Sequence, residues 1–423
     1  MTFWSQTELI LYIQEAIREW NALTGYFRGD FTFTPRPNVT WYDLTDQINL
    51  PNTLRPFTVT DQQLYTEIEY HLLEPPVGSG IWTGSTQFSV QTILQAVQRR
   101  RDETLGVTGC TVSVGSVPAV PGRTSIPQSI IDLRRLVYID LNGNVSVLWK
   151  TDPQAWLGWE PNYTVNPNGV PQTYSIVTEP VWSFDVDQQP VLEGQYEFFT
   201  VNSQAPLTTS PSLLYIPDDW TWVLKWGALS DLLGQQSEPK DTQRQQYCET
   251  RYREGLALLS LAPSLLLSRI NNISVFIDSV KSADGYFPSW ESVPTGTPVS
   301  VFTAGLNLIA LNPAADNNPY SLLATVIENA PVPTLTTPGV TDCIPLSLDL
   351  IDCILDEAQH IASFKQGGQE FAETMILHDR FMKQAAIEAS KLSKQGPFQK
   401  ALWSMSHKEE VFEPRHDLAE ETA

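Results

Sequence analysis

Two stretches of the chain read as copies of one helical hairpin, and this duplication limits the fold more than any other feature of the sequence. Pro217 through Leu256 and Pro345 through Ala385 each begin at a proline, run a helix through Ala228 or Ala358, turn, and place an aromatic ring at Tyr252 or Phe381. The spacing from alanine to aromatic is 24 residues in the first copy and 23 in the second. A solenoid builds its core by stacking about three or more repeats, so two copies imply a single bundle instead. In the first copy, Asp218 can cap a helix with Trp220, Leu224, Ala228 and Leu232 on one face, followed by a helix over about 241–261. The second copy reads as helices over about 347–365 and 368–393, joined at Gly367-Gly368.

Upstream, Ser5 and Glu8 form a capping-box pattern ahead of Leu9, Ile13, Ala16, Ile17, Trp20 and Leu23 at helical spacing, and Gly25 closes that helix. Residues 27–60 carry β-type side chains with Pro35, Pro37, Pro51 and Pro56, which suits an extended loop or edge strands. Thr60 and Gln63 repeat the capping box ahead of Leu64, Ile68 and Leu72, and Pro75-Pro76 stops that helix. A third helix is expected over 89–104, ending near Arg99, Arg100 and Arg101, because cations favour a helix C-terminus.

From about 110 to 215 the period becomes two, with a hairpin signal in Arg135–Asp140, Asn142-Gly143 and Val145–Trp149. Alternation returns over 273–340, notably in Val299–Phe302 and Leu306–Leu311. The expected fold is α+β: a helical-hairpin bundle interrupted by two β-rich insertions. Its parts are an N-terminal helical part with an extended loop (1–109), a β-rich insertion (110–215), a helical hairpin (216–272), a second β-rich insertion (273–346), a C-terminal helical hairpin (347–395) and an extended arm (396–423).

The formal net charge is −22, from 26 Lys plus Arg against 48 Asp plus Glu, which argues against gripping nucleic acid by phosphate neutralisation. The same charge suits a channel wall past which DNA slides without sticking, or plain solubility. Cys110, Cys248, Cys343 and Cys353 show no C-x-x-C pair and no dense even spacing, so free thiols are expected. Met1 to Tyr26 carries Glu8, Glu15, Arg18 and Glu19 and does not read as a signal peptide, and there is no apolar run of about 18 residues for a membrane span. These readings imply synthesis in the cytoplasm and no membrane partner. The sequons at Asn38, Asn144, Asn162 and Asn272 are then chance matches.

The common nucleophile, metalloprotease, phosphate-loop and dinucleotide-binding motifs are missing from the sequence, which implies no enzyme, no catalytic residues and no cofactor. His71, His360, His378, His407 and His416 are scattered, and His360 with His378 on one hairpin reads as packed or solvent-facing histidine rather than a metal pair. Asp349, Asp352 and Asp356 on one helical face, and Asp185 with Asp187, read as solvated acids rather than a glycoside-cleaving pair. Arg28-Gly29-Asp30 reads as a turn after the first helix. Trp149, Trp156, Trp159, Tyr163 and Tyr174 are dense enough to stack on sugars, although filling a core or an interface accounts for them better.

Three segments resemble a known family. Tyr12-Ile-Gln-Glu-Ala-Ile-Arg-Glu-Trp-Asn21, Trp222-Val-Leu-Lys-Trp-Gly-Ala-Leu-Ser-Asp-Leu-Leu233 with Tyr247-Cys-Glu-Thr-Arg-Tyr252, and Ala358 through Phe371 are similar to the helices of tailed-bacteriophage head-to-tail connector proteins, the adaptors of the neck. The resemblance covers the helical parts and rests on hairpin pattern rather than a catalytic signature. It implies a virion structural protein at the head-tail junction that forms a ring, usually of twelve copies, binds the portal and tail or neck proteins, and lines a channel through which genomic DNA passes without sequence-specific contact. A tail or baseplate component with carbohydrate- or receptor-binding β-insertions is the alternative. Gly396-Pro397 breaks the last helix, and Phe398, Leu402, Trp403, Val411 and Phe412 follow on a segment too short for a core of its own. The expectation is an arm, 396–423, whose apolar side chains dock on the portal.

Overall fold

The computed structural model of the chain describes residues 4–45, 57, 59–72, 88–159, 168–178, 181–190, 194–208, 211–235, 241–331, 346–392 and 396–407. Helix α1 (Gln6–Thr24) starts where Ser5 and Glu8 cap each other and stops at Gly25, whose φ of 61° is left-handed and suits glycine. Helix α2 (Asp61–His71) has the same reciprocal cap from Thr60 and Gln63. Helix α3 (Val90–Thr108) runs a full turn beyond the expected end, to Gly109 at φ 59°. Arg99, Arg100 and Arg101 therefore lie in its body rather than at its C-terminus. Arg100 reaches Asp231 and Glu249, and buried Arg101 donates to the carbonyls of Gln204 and Ala205.

Helices α5 (Thr221–Leu233) and α6 (Thr242–Leu261) pack as one pair, and α8 (Leu348–Phe364) and α9 (Gly368–Leu392) as another. A short helix, α10 (Pro397–Ser406), lies against α9 and α6. α1, α2, α3, α5, α6, α8, α9 and α10 share one apolar core that includes Trp20, Trp226, Phe364, Phe381 and Leu402. α5 is buried almost all round because its apolar residues do not keep to one stripe, the mark of a central helix. Each such large side chain contributes about 1.5–3 kcal/mol when fully buried.

The strands overturn the expectation of a helical-hairpin bundle interrupted by two β-rich insertions. The molecule is α+β, with 45% helix and 25% strand among the described residues, and their strands form three sheets. The largest sheet has seven strands in the order β3 (Ser113–Ala119), β9 (Gly194–Asn202), β5 (Ile130–Ile139), β6 (Val145–Lys150), β7 (Thr173–Val177), β8 (Ser183–Val186), β4 (Thr124–Ser125), and it curls into a nearly closed barrel. Helix α4 (Pro153–Trp159) lies between β6 and β7 in sequence. The β5–β6 hairpin turns at Asn142-Gly143, where Gly143 has φ 81°.

The other two sheets are built from residues far apart in the chain. One has the order β1 (Arg28–Phe33), β15 (Leu322–Ile327), β10 (Leu267–Ile270), β11 (Ile273–Ser274). The other has β12 (Phe276–Ser279), β13 (Ser300–Ala304), β14 (Leu308–Asn312), β2 (Trp41–Asp43), and helix α7 (Val280–Tyr286) follows β12. Residues 28–43, expected as loop or edge strands, supply an edge strand to each of these two sheets, pairing Arg28 with Ile327 and Tyr42 with Ile309. An insertion closes on itself, whereas these strands pair across about 280 residues of chain. Local periodicity reports that a segment is extended, and it says nothing of its partner.

Candidate functional site

The chemistry of the chain is concentrated inside the helical core. Glu8, Glu15 and Glu19 all sit on the buried face of α1, because offsets of seven and eleven residues return to nearly the same side of a 3.6-residue helix. Each carboxylate meets a cation from a different helix. Lys365, just past α8, donates to Glu8 Oε1 at 2.7 Å, and Tyr12 Oη donates to the same oxygen at 2.7 Å. Lys225 on α5 pairs with Glu15, and its Nζ lies 3.1 Å from His71 Nε2 and 4.4 Å from the Trp226 ring centre. Burial and the adjoining Lys225 push the His71 imidazole well below its ordinary range, so it accepts from the ammonium as a neutral ring.

Arg251 on α6 is the hub. Its Nη2 donates to Glu19 at 2.8 Å and to Glu357 at 3.3 Å, and its Nη1 lies 2.8 Å from His378 Nε2. His378 Nδ1 donates to the other oxygen of Glu357 at 2.8 Å. The guanidinium also lies over the faces of Trp222 and Trp226, at 5.3 and 5.6 Å. Burial pushes both carboxyls upward, but for Glu357 the neighbouring His378 and Arg251 win and hold it down at about 2, whereas Glu19 is left raised. His360 stacks on His378 at 5.2 Å and is pushed down to about 3 by burial, with Tyr247 Oη 2.7 Å from its Nε2 and Thr374 Oγ1 3.0 Å from its Nδ1. The two histidines considered as a metal pair are thus joined to Tyr247, Thr374, Glu357 and Arg251. Among the described residues no group of three or more His, Cys, Asp or Glu could hold a metal ion.

A second buried cluster fastens the barrel to the neighbouring sheet. Arg135 on β5 donates to Asp284 of α7 at 2.6 and 2.9 Å and to Glu291 at 3.2 and 3.0 Å, with its guanidinium against Phe199 and Trp290. At the seam between α1 and β15, Asp219 accepts from Asn21 Nδ2 at 2.6 Å and from the Ala330 amide, yet burial still raises its carboxyl to about 7.

Of the five residues expected on a docking arm, Phe398 and Leu402 are buried in this chain's own core, and Trp403 on the same helix is half-buried against it. The physical reason is that Pro397 at the helix start begins α10 instead of ending order, and α10 lays its apolar side on α9 and α6. Val411 and Phe412 lie outside the described residues. The aromatic set read as a sugar platform is split: Trp156 and Tyr174 are buried, Trp149 is half exposed, and the side chain of Trp159 and all of Tyr163 lie outside the described residues. Arg28-Gly29-Asp30 opens strand β1 rather than making a turn. Asp187 accepts from the amides of Gln172, Thr173 and Gln188, Asp185 pairs with Arg123, and Asp349 and Asp352 lie exposed on α8.

The buried charge network was missed in the sequence, where Glu8, Glu15 and Glu19 served only to exclude a signal peptide. Their recurrence among Tyr12, Ala16 and Trp20, on the side that packs, was the available signal. The chain matches no protein-family model and no curated protein. No helix among the described residues is long and apolar enough to cross a membrane.

Proposed function

We propose that the chain is a non-enzymatic structural subunit of a tailed bacteriophage, a ring-forming adaptor that links portal to tail at the head-tail junction. The observation that carries this reading is the ion lock of the helical core. Lys225, Arg251 and Lys365 tie the first helix to helices more than 200 residues away in the chain, so the charged groups of the core bond one another. A network of this kind sets geometry: breaking one partner is costly, so the helices hold one arrangement. The three segments that resemble connector adaptors lie on α1, α5, α6, α8 and α9, the helices that this network joins.

In this reading the subunit surrounds an axis with other copies, about twelve by the family resemblance, since cyclic symmetry is the common form of closed assembly. Its partners are the portal above and tail or neck proteins below. The net charge of −22 keeps the ring walls from trapping the DNA backbone. A reconstruction of the phage particle that carries this protein tests the position: a ring of it between portal and tail is expected, and its absence from that level overturns the proposal.

A further inference from the structure

A cleft lies where the sheet of β1 and β15 meets the end of α1, the 3-10 turn Asp218–Trp220 and the start of α10. With its open mouth included it measures about 550 Å³, and Trp220, Leu266, Ile327 and Phe398 make its apolar wall. The rings of Trp220 and Phe398 meet edge to face at 6.4 Å. A cation and an acid, Arg28 and Asp219, line the same cleft.

Among the described residues neither of these two groups forms an ion pair, with the other or with a third group. Arg28 pairs with Ile327 across β1 and β15, so both side chains share the sheet face that lines the cleft. Its Nε donates to the Gly25 carbonyl at 2.8 Å, while its Nη2 is buried without a hydrogen-bond partner. The acids nearest in the strands do not serve it. Glu328 lies over Gly29 on the opposite face, and Asp30 takes the hydroxyl of Thr325 at 2.6 Å. Asp219 is 5% exposed and accepts from Asn21 Nδ2 and the Ala330 amide. Burial holds its carboxyl up at about 7, and those two bonds and the charge of Arg18 oppose this only in part. A half-buried cation and a buried acid that share one cleft without meeting each cost free energy until something bridges them.

We propose that this cleft binds a free α-amino acid with an aliphatic side chain, its carboxylate on Arg28, its ammonium on Asp219 and its side chain against Leu266, Ile327 and Phe398. A guest of one charge answers one of the two groups and leaves the other as it was. A zwitterion answers both, and a guanidinium with a nitrogen to spare suits a carboxylate. An ammonium beside Asp219 supplies the opposite charge that the buried carboxylate lacks, which favours its ionised form. The apolar wall keeps water from both pairs and so strengthens them. This site needs no second copy of the chain and stands apart from the ring reading.

The test is saturation-transfer NMR on the full-length chain, just above the pH of about 7 at which Asp219 titrates. It compares leucine with leucinamide, which lacks the carboxylate, and with N-acetylleucine, which lacks the ammonium. Leucine should bind about tenfold tighter than either, since each analogue gives up a hydrogen bond between charged groups. Arg28→Met should bring leucine to the level of leucinamide without weakening leucinamide. Asp219→Asn should bring it to the level of N-acetylleucine without weakening that analogue. The three-ligand comparison uses the unaltered chain, so it decides even where a substitution unfolds the protein. No saturation transfer to leucine overturns the site, and so does leucine that binds no tighter than leucinamide or N-acetylleucine. Leucine binding that either folded variant retains in full lies elsewhere on the chain and overturns the assignment to this cleft.

Discussion

Arg251 answers to two carboxylates, one imidazole and two indole rings, and removing it strands charges that have no water to turn to. Arg251→Met is expected to lower unfolding free energy by about 3–5 kcal/mol, the cost of breaking a buried ion network from one side. Urea unfolding followed by Trp fluorescence checks this, and a loss below about 1 kcal/mol contradicts the hub role. Asp219 gives a pH signature of opposite origin. Its folded carboxyl titrates at about 7 because burial favours the neutral form, against an ordinary value of 3.8. The stability tied to it is therefore present below about pH 4 and is lost as pH rises toward 7. Asp219→Asn should remove that loss, so the variant gains on the wild type between pH 4 and 7; a difference that stays flat, or runs the other way, counts against it. Neither residue's role was legible beforehand. A buried acid and a solvated acid look alike in a sequence until their place on a helix is weighed against the apolar stripe beside them.

At the scale of elements, capping chemistry was the most readable signal. The reciprocal caps at Ser5 and Thr60 and the glycine end at Gly25 stand in the structure because each satisfies backbone groups locally. The Asn142-Gly143 hairpin was readable for the same reason. Strand partnership was not: β1 and β2 find β15 and β14 through long-range pairing that no local pattern encodes. The C-terminal segment misled in another way. Proline after a glycine was taken as a break, but proline is also well suited to the first turn of a helix, and α10 starts there. Since Leu402 is fully buried, Leu402→Ala should cost about 2–5 kcal/mol in the isolated subunit. Thermal unfolding of the purified chain measures this. An unchanged midpoint would mean that α10 is held by something other than this core.

At the scale of the whole molecule, buried ion contacts hold the helices of the core to one another through Arg251 and hold the barrel to one of the two smaller sheets through Arg135. Rigid connection of this sort suits a subunit that must repeat one angle to its neighbour around an axis, because a small error per copy would leave a ring open. The α+β class was legible in the alternation of periods, and the three-sheet architecture was not, since it depends on which distant strands meet. Assembly is read most simply by electron microscopy of the purified full-length chain together with its mass in solution. Closed rings of one size, about twelve copies around a central opening, are expected. A single monomeric species at every concentration, with no ring of this protein in the virion, would contradict it.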